Sequence, residues 1–471
     1  MLFNSFEFLW FFPLVAIVYY LAGSRMTIRN LWLLIASYYF YLNLNPVYGL
    51  LLLAITGLTY GCGRFLEQVS TDKAKKQLLT ICLLLNFSSL FIFKYYNFVN
   101  ESIYSLMSAI GLRWEVPYMK VLLPVGISFF TFQAAGYIID VYRGNIKAEK
   151  NFLTYALFVS FFPVILSGPI QRAKVLIPQL KEKHPLMYEN VIGGLKMMLW
   201  GYFMKLCVAD RLGTYVDSVF NNIPQHNGTS IAIASIFYTI QIYGDFAGYS
   251  LTALGCAKVM GFNLPENFLR PYFSTSIKEF WKRWHIALSS WFMEYLYFPL
   301  GGSRVRYGRY LMNLMIVFLV SGLWHGAAWT FVLWGALHGL YQILEALRKK
   351  YFGEPTYKHW WSKALKMLFV FFLVNMAWIF FRANTIGDAF TAIVKMFTAP
   401  GTPFISSMAM LFGLISTTIL LVKDFADEFH PSWKLLASDN KVVATIACAL
   451  LAVYVVLFGV LDSSQFIYFQ F

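Results

Sequence analysis

The 471-residue sequence predicts an all-α polytopic membrane protein, and three observations lead there. Charged side chains make up 13% of it and apolar ones 59%, against about 25% and about 45–50% in a soluble domain, so water cannot be the main solvent. Many windows of roughly 20 residues are apolar enough to cross a ~30 Å hydrocarbon core. Basic residues gather between those windows in short clusters, 70–76 "STDKAKK", 142–150 "YRGNIKAEK", 172–184 "RAKVLIPQLKEKH" and 304–309 "RVRYGR", the pattern of cytoplasmic loops. No hydrophilic stretch is long enough for a separate soluble module, so 1–471 reads as a single integral-membrane domain.

From the N-terminus, "MLFNSFEFLWFFPLVAIVYYLAG" lacks a basic n-region and a small-residue cleavage site, so it reads as a retained first helix. Further hydrophobic spans fall at about 31–43, 47–61, 77–98, 119–138, 151–168, 190–208, 229–257, 280–300, 310–344, 365–381, 404–422 and 441–460. Counting them gives about 11–13 membrane segments. Several are too short to cross upright, and 310–344 is too long for one helix. Some must therefore be re-entrant or broken, which a membrane tolerates only where protein or a water-filled cavity shields the backbone. In 151–168, Pro163, Gly168 and Pro169 stand where such a hairpin would bend. The segment 265–309 is dense in aromatic and basic residues and reads as interfacial helices.

The net charge of +15 is explained by the cytoplasmic clusters and gives no reason to expect nucleic acid as a partner. Cys62, Cys82, Cys207, Cys256 and Cys448 form no CxxC pair and read as packed thiols. There is no HExxH, no His pair at i,i+4 and no acidic cluster, which argues against a metal centre; P-loop and nucleophile-elbow patterns are missing too.

Ionisable groups at membrane depth are costly and are functional candidates by default. Asp245, in "FYTIQIYGDFAGYSLTALG", is the only charge between Ile231 and Ala257. Gly244 and Gly248 flank it and permit close backbone approach or a break. It reads first as a carboxylate that caps a broken helix or pairs with a buried Lys or Arg, and second as a group lining a substrate passage. His325 and His338 lie in "SGLWHGAAWTFVLWGALHG" (321–339), within 35 residues that carry no Asp, Glu, Lys or Arg. A neutral imidazole can take and return a proton in a low-dielectric site. Trp324 would be a rigid wall and Gly326 would leave room beside the ring. Equally, His325 could be hydrogen-bonded packing between helices, and the local sequence leaves both readings open. On one continuous helix, 13 residues would put His338 ~20 Å along the axis; it reads as packing or as an orienting neighbour. In "KEFWKRWHIALSSWF", Trp281, His285, Ser289 and Phe292 would share one helical stripe, flanked by Lys278, Lys282 and Arg283. These cations either meet lipid headgroups or hold a phosphate-bearing donor while His285 faces a reaction cavity.

"RPYFSTSIKEFWKRWHIALSSWFMEYLYFPLGGSR" (270–304), then "LVSGLWHGAAWTFVLWGALHG" (319–339), closely resembles the membrane-bound O-acyltransferase (MBOAT) family. The likeness is to its branch of AlgI-type alginate O-acetyltransferases, PatA-type peptidoglycan acetylases and DltB-type D-alanyl transferases. "LPVGISFFTFQAAGYIIDVYRG" (123–144), "FFPVILSGPIQR" (161–172) and "IYGDFAGYS" (242–250) corroborate it in the right order, and the core of the resemblance runs over about 119–345.

The resemblance implies the MBOAT fold around a central tunnel, with His325 as the essential histidine and His285 as the second polar position. It implies an activated acyl donor, acetyl-CoA or a similar species, reaching the tunnel from the cytoplasm as substrate, with no resident cofactor. An accepting hydroxyl would come from the other face. His325 would be general base and His285 would orient substrate or support the oxyanion; Trp324, Trp284, Lys282, Arg283, Asp245 and Ser289 are the accompanying substrate-binding candidates. Implied partners are an extracytoplasmic SGNH-type acetyltransferase or another acceptor protein, a polysaccharide acceptor and membrane lipids, at the inner membrane. Met293, Glu294 and Leu251 depart from the alginate-type pattern, which bears on the acceptor and not on the chemistry. D-alanyl or other acyl transfer is the nearest alternative, and a lipid-linked-sugar transporter using Asp245 is a remoter one.

Overall fold

The computed structural model describes residues 1–115, 117–119, 123–166, 168–353, 359–404, 407–430, 432–433, 436 and 438–460. Among these residues all regular structure is helical. Among the described residues, seven helical stretches are long and apolar enough to cross a membrane: Val47–Gln68, Asp72–Ala109, Tyr188–Phe220, Gly228–Val259, Tyr307–His325, Trp360–Arg382 and Lys441–Phe458. Trp10, Leu50, Leu84, Leu450 and Val456 stand exposed on the helices. In water such a surface would aggregate; on a multi-pass membrane protein it faces lipid. Packing divides the chain into two compact units, Met1–Ile192 with Cys256–Leu264, and Gly193–Gly255 with Pro265–Phe471.

The first unit opens with α1 (Phe6–Leu21), α2 (Met26–Leu42), α3 (Val47–Gln68) and α4 (Asp72–Leu90), which runs through one π turn into α5 (Tyr96–Ala109). α6 (Ile127–Tyr142), α7 (Phe152–Ser160), α8 (Phe162–Ile165) and α9 (Ala173–Leu180) follow. The expected interruption of 151–168 is present. α7 has nine residues, about 14 Å of rise and too little to cross. The chain bends at Phe161, and Pro163 stands in the first turn of α8, where its missing N–H costs nothing. Ser37 Oγ satisfies the Phe162 N–H at 3.0 Å. Gly126 initiates α6 with φ +78°, and a Cβ there would lie 2.5 Å from the Ile165 carbonyl, so the start of α6 and the end of α8 meet backbone to backbone.

In the second unit, which takes α10 (Tyr188–Tyr202) from Gly193 and α12 (Gly228–Val259) up to Gly255, α10 continues through a π turn, Phe203–Ala209, into α11 (Asp210–Phe220), and α12 packs against it. Glycines set that approach: a Cβ on Gly201 would lie 2.6 Å from the Gly248 carbonyl, and one on Gly248 2.7 Å from that of Gly201. Two short helices, α13 (Ile277–Arg283) and α14 (Ile286–Phe292), lead by a π turn to a hairpin of α15 (Tyr307–His325) and α16 (Trp329–Phe352). α17 (Trp360–Arg382), α18 (Ile386–Thr398), α19 (Ser407–Phe429) and α20 (Lys441–Phe458) complete the unit. Asn375 on α17 donates to Ser235 O at 2.8 Å and to Thr239 Oγ1 at 2.7 Å on α12, polar ties of the kind that hold helices where apolar packing alone has little drive.

Candidate active site

The 310–344 run breaks after His325. Gly326 and Ala328 are extended (φ −156° and −150°), and α16 folds back along α15. The legs come together through glycines: a Cβ on Gly322 would meet the Phe331 carbonyl at 2.3 Å, and one on Gly335 the Phe318 carbonyl at 2.3 Å. His325 therefore sits at a hairpin tip, 2% exposed. Its ring centre is 4.9 Å from Trp324, 4.9 Å from Trp334 and 5.3 Å from Phe381, each edge-on. The room expected beside Gly326 is filled by Phe331, whose Cε2 would lie 2.1 Å from a Cβ there.

His285 does not continue a helical stripe. Trp284 is extended and His285 left-handed (φ +43°, ψ +55°), so Trp281 falls on α13 while Ser289 and Phe292 fall on α14. The reason lies in the segment alongside. Asn267 O accepts from Ile286 N at 3.0 Å, and Leu269 N donates to Arg283 O at 2.9 Å, a two-bond pairing that pulls residues 284–285 out of the helix. A left-handed non-glycine residue costs roughly 1–2 kcal/mol, and such strain gathers at functional sites. Asn267 Oδ1 accepts from Ala287 N at 3.1 Å and lies 3.2 Å from His285 Nδ1, while Asn267 Nδ2 donates to Ser250 Oγ at 3.2 Å. The His285 ring packs edge-on against Phe246 at 4.6 Å and lies 5.9 Å from Trp324. His285 and His325 thus stand on one shared indole.

The fold-back also changes the relation of His325 to His338. Both rest on Trp334, each with its ring centre 4.9 Å from the indole, closer than a continuous helix would allow. Trp281 Nε1 donates to His338 Nδ1 at 3.2 Å, which fixes the proton of neutral His338 on Nε2. Tyr341, one turn further along α16, is 5.8 Å from His338 and forms part of the wall of a cavity of about 590 Å³. The cavity lies among α13, the C-terminal half of α16 and the start of α17. Lys278, Lys282, Arg348, Lys349 and Lys366 line it against two carboxylates, Glu279 and Glu345. Both carboxylates are engaged: Glu279 Oε1 with Arg283 at 2.7 Å, and Glu345 Oε2 with the Ile277 N–H at 2.9 Å. None of the three histidines is among the lining residues; Trp334 and His338, both 0% exposed, stand between this cavity and His325.

The remaining candidates disperse. Lys282 is exposed on the cavity wall. Arg283 pairs with Glu428 at 2.9 Å as well as Glu279, so its charge is committed within the protein. Trp284 is fully buried among Phe268, Phe280 and Trp378. Ser289 donates to the Trp284 carbonyl at 3.4 Å. Asp245 forms an ion pair with Lys205 at 2.6 Å, and Lys205 a second one with Asp210 at 2.7 Å. α12 is unbroken there; its glycines serve close approach, and the π turn carries Lys205. Sequence reasoning foresaw a buried cation for Asp245 without finding Lys205, a lone lysine in an apolar run. Asn267, in a loop, carried no signal at all. Among the described residues no group of three His, Cys, Asp or Glu side chains comes together as metal ligands.

Comparison with known proteins finds membrane acyltransferases. The model described as "MBOAT, membrane-bound O-acyltransferase family" matches residues 145–387, which include His285, His325 and His338. The chain is 37% identical to the "Probable alginate O-acetylase AlgI" of Pseudomonas aeruginosa over 429 residues, 89% of this chain and 80% of the relative. It is 35% identical to the "Peptidoglycan O-acetyltransferase" of Helicobacter pylori over 400 residues, 78% of this chain and 73% of the relative. With the "Teichoic acid D-alanyltransferase" of Bacillus subtilis it shares 29% over 280 residues, 55% of this chain and 69% of the relative.

Proposed function

The chain belongs to the membrane-bound O-acyltransferase family, and from that premise we propose that it moves acetyl from cytoplasmic acetyl-CoA to an extracytoplasmic polysaccharide, with His325 as general base. The observation that carries the assignment of roles is the pair of buried imidazoles, His325 and His285, both beside Trp324. In the reaction the hydroxyl oxygen attacks the thioester carbonyl carbon as its proton passes to His325. The C–S bond then breaks, and the imidazolium returns the proton to the departing thiolate. A water-poor site protects the thioester, and holding donor and acceptor end to end removes much of the entropic barrier.

The basic cavity fits the donor. Its five cations match the phosphates of coenzyme A, and the thioester end would reach His325 past His338 and Trp334, the buried rings that separate the two along α16. By the positive-inside rule, basic residues at both outer ends of the hairpin, 304–309 and 348–350, support a cytoplasmic position for the cavity, and the inner membrane belongs to the same proposal. Acetyl is then passed, directly or through an SGNH-type partner, to the polymer. The longer coverage of the O-acetyltransferase relatives favours acetyl over D-alanyl transfer, and the ion pair of Asp245 gives that residue a structural duty in place of the passage a transporter would need.

His325→Ala tests the reading. The variant should reach the membrane in normal amount and leave the polymer without acetyl esters, measured by mass spectrometry of the released polysaccharide. Normal ester content in that strain refutes the assignment, and D-alanine in place of acetate on the wild-type polymer selects the D-alanyl alternative.

A further inference from the structure

We infer that Asn267 is a positioning residue for the transfer: its side-chain oxygen holds His285 in the tautomer protonated at Nδ1, so that Nε2 can only accept a hydrogen bond from substrate and cannot donate one to the oxyanion. The inference rests on the acyl-transfer reading above and goes further, because it selects between the two roles open to His285. The logic is one of donors and acceptors. The Ala287 backbone N–H can donate only to an oxygen, so the Asn267 atom 3.1 Å from it is Oδ1 and the amide orientation is fixed. That same oxygen lies 3.2 Å from His285 Nδ1. Two acceptors do not face each other at that distance, so Nδ1 carries the hydrogen and, in the neutral ring, Nε2 carries the lone pair.

Asn267 is itself held against rotation. Its Nδ2 donates to Ser250 Oγ at 3.2 Å, and its backbone carbonyl accepts from Ile286 N at 3.0 Å. One residue thereby maintains the left-handed turn at His285 and the protonation pattern of its ring. α12 contributes from behind: Phe246 closes one side of the imidazole and Ser250, one turn on, anchors the amide. In this tautomer a substrate O–H or N–H that reaches Nε2 meets a lone pair, while the proton of the attacking hydroxyl still goes to His325. Stabilisation of the oxyanion then falls to other groups.

Protein labelled with 15N at histidine, with the His285 signals identified by their loss in His285→Gln, should show a protonated-type Nδ1 and a lone-pair-type Nε2. The reverse pattern overturns the inference whatever the activity. In membranes supplied with labelled acetyl-CoA, Asn267→Leu should lower the turnover of label into polymer by about 10²-fold, while KM for acetyl-CoA stays within about threefold. Asn267→Asp, which keeps an oxygen for Ala287 N and Nδ1–H, should recover to within about tenfold of wild type. Its carboxylate favours the imidazolium of His285, so the acidic limb of its pH–rate profile should move to higher pH, a change that a purely structural asparagine would not produce. Undiminished turnover in Asn267→Leu, or an Asp variant with an unmoved limb, overturns the inference. His325→Ala run alongside separates the failures: if that variant still transfers label, the acyl-transfer reading has failed; if it is dead and Asn267→Leu is fully active, only the role of Asn267 has.

Discussion

Lys205→Met removes the cation that lies 2.7 Å from Asp210 and 2.6 Å from Asp245. The three side chains are 3%, 7% and 3% exposed, so neither carboxylate can recruit bulk water in exchange. Taking one member from a buried ion pair costs about 3–5 kcal/mol, because the stranded charge keeps its desolvation penalty. Here two carboxylates remain on the site the cation occupied, and like charges at short range raise the cost further. At about 2–4 °C per kcal/mol for domains of 150–250 residues, and less for larger ones, the midpoint of thermal unfolding should fall by roughly 10 °C. The assay is gel filtration of detergent-purified protein after heating at one fixed rate, since such unfolding is a rate as much as an equilibrium. Lys205→Met combined with Asp210→Asn and Asp245→Asn should regain most of the loss, because neutral side chains of similar volume carry no desolvated charge. Asp245→Asn alone should lose stability while its folded fraction keeps specific activity within about twofold of wild type. A Lys205→Met protein that melts with the wild type refutes the reasoning. A stable Asp245→Asn protein without activity would return Asp245 to the substrate site.

Three further outcomes follow from the geometry. Gly335→Leu should abolish folded protein in the membrane, because a Cβ already falls 2.3 Å from the Phe318 carbonyl and the legs of the hairpin cannot separate locally; detergent-resistant protein at wild-type level would count against that packing. Trp281→Phe removes the donor to His338 Nδ1 and leaves a buried acceptor unmet, a loss of about 1–3 kcal/mol that the same melting assay reads as several degrees. Lys282→Glu with Arg348→Glu reverses two charges of the cavity wall and should raise KM for acetyl-CoA by at least about tenfold with a smaller change in kcat, the pattern of lost ground-state binding; an unaltered KM would remove the cavity from the donor path.

What the sequence made legible was set by solvent and length. Most spans followed from hydropathy, although 280–300 divides between α13, α14 and a π turn. A break within 310–344 followed from a charge-free run too long for one helix, but its place after His325 did not. The pairing of Asp245 followed from the cost of a lone buried carboxylate. What stayed hidden was set by neighbours distant in sequence. Nothing in "KRWHIA" announces a left-handed His285; no glycine or proline stands there, and the cause is pairing with Asn267 and Leu269, some 15 residues earlier. The stripe expected through Trp281 and Ser289 failed for that reason. Arg283 looked available to a phosphate because Glu428, its partner on α19, lies far along the chain. The open space expected beside Gly326 was Phe331 seen without its rotamer.

The α15–α16 hairpin has a consequence for biosynthesis. α15 is apolar enough to cross a bilayer alone, but α16, which carries His338, Gln342, Glu345 and Arg348, is not among the seven stretches that are. Leaving the translocon, α16 must shelter its polar face as it partitions, and its Gly335 and Gly339, with Gly322 of α15, let it lie against the backbone of α15. The two legs are therefore expected to insert as one unit, with the tip histidine carried to its depth only when the second leg arrives. A nascent chain halted after residue 325 would be anchored without the partner leg, so if His325 is the base proposed above, chemical competence would be acquired late, at the closing of this hairpin.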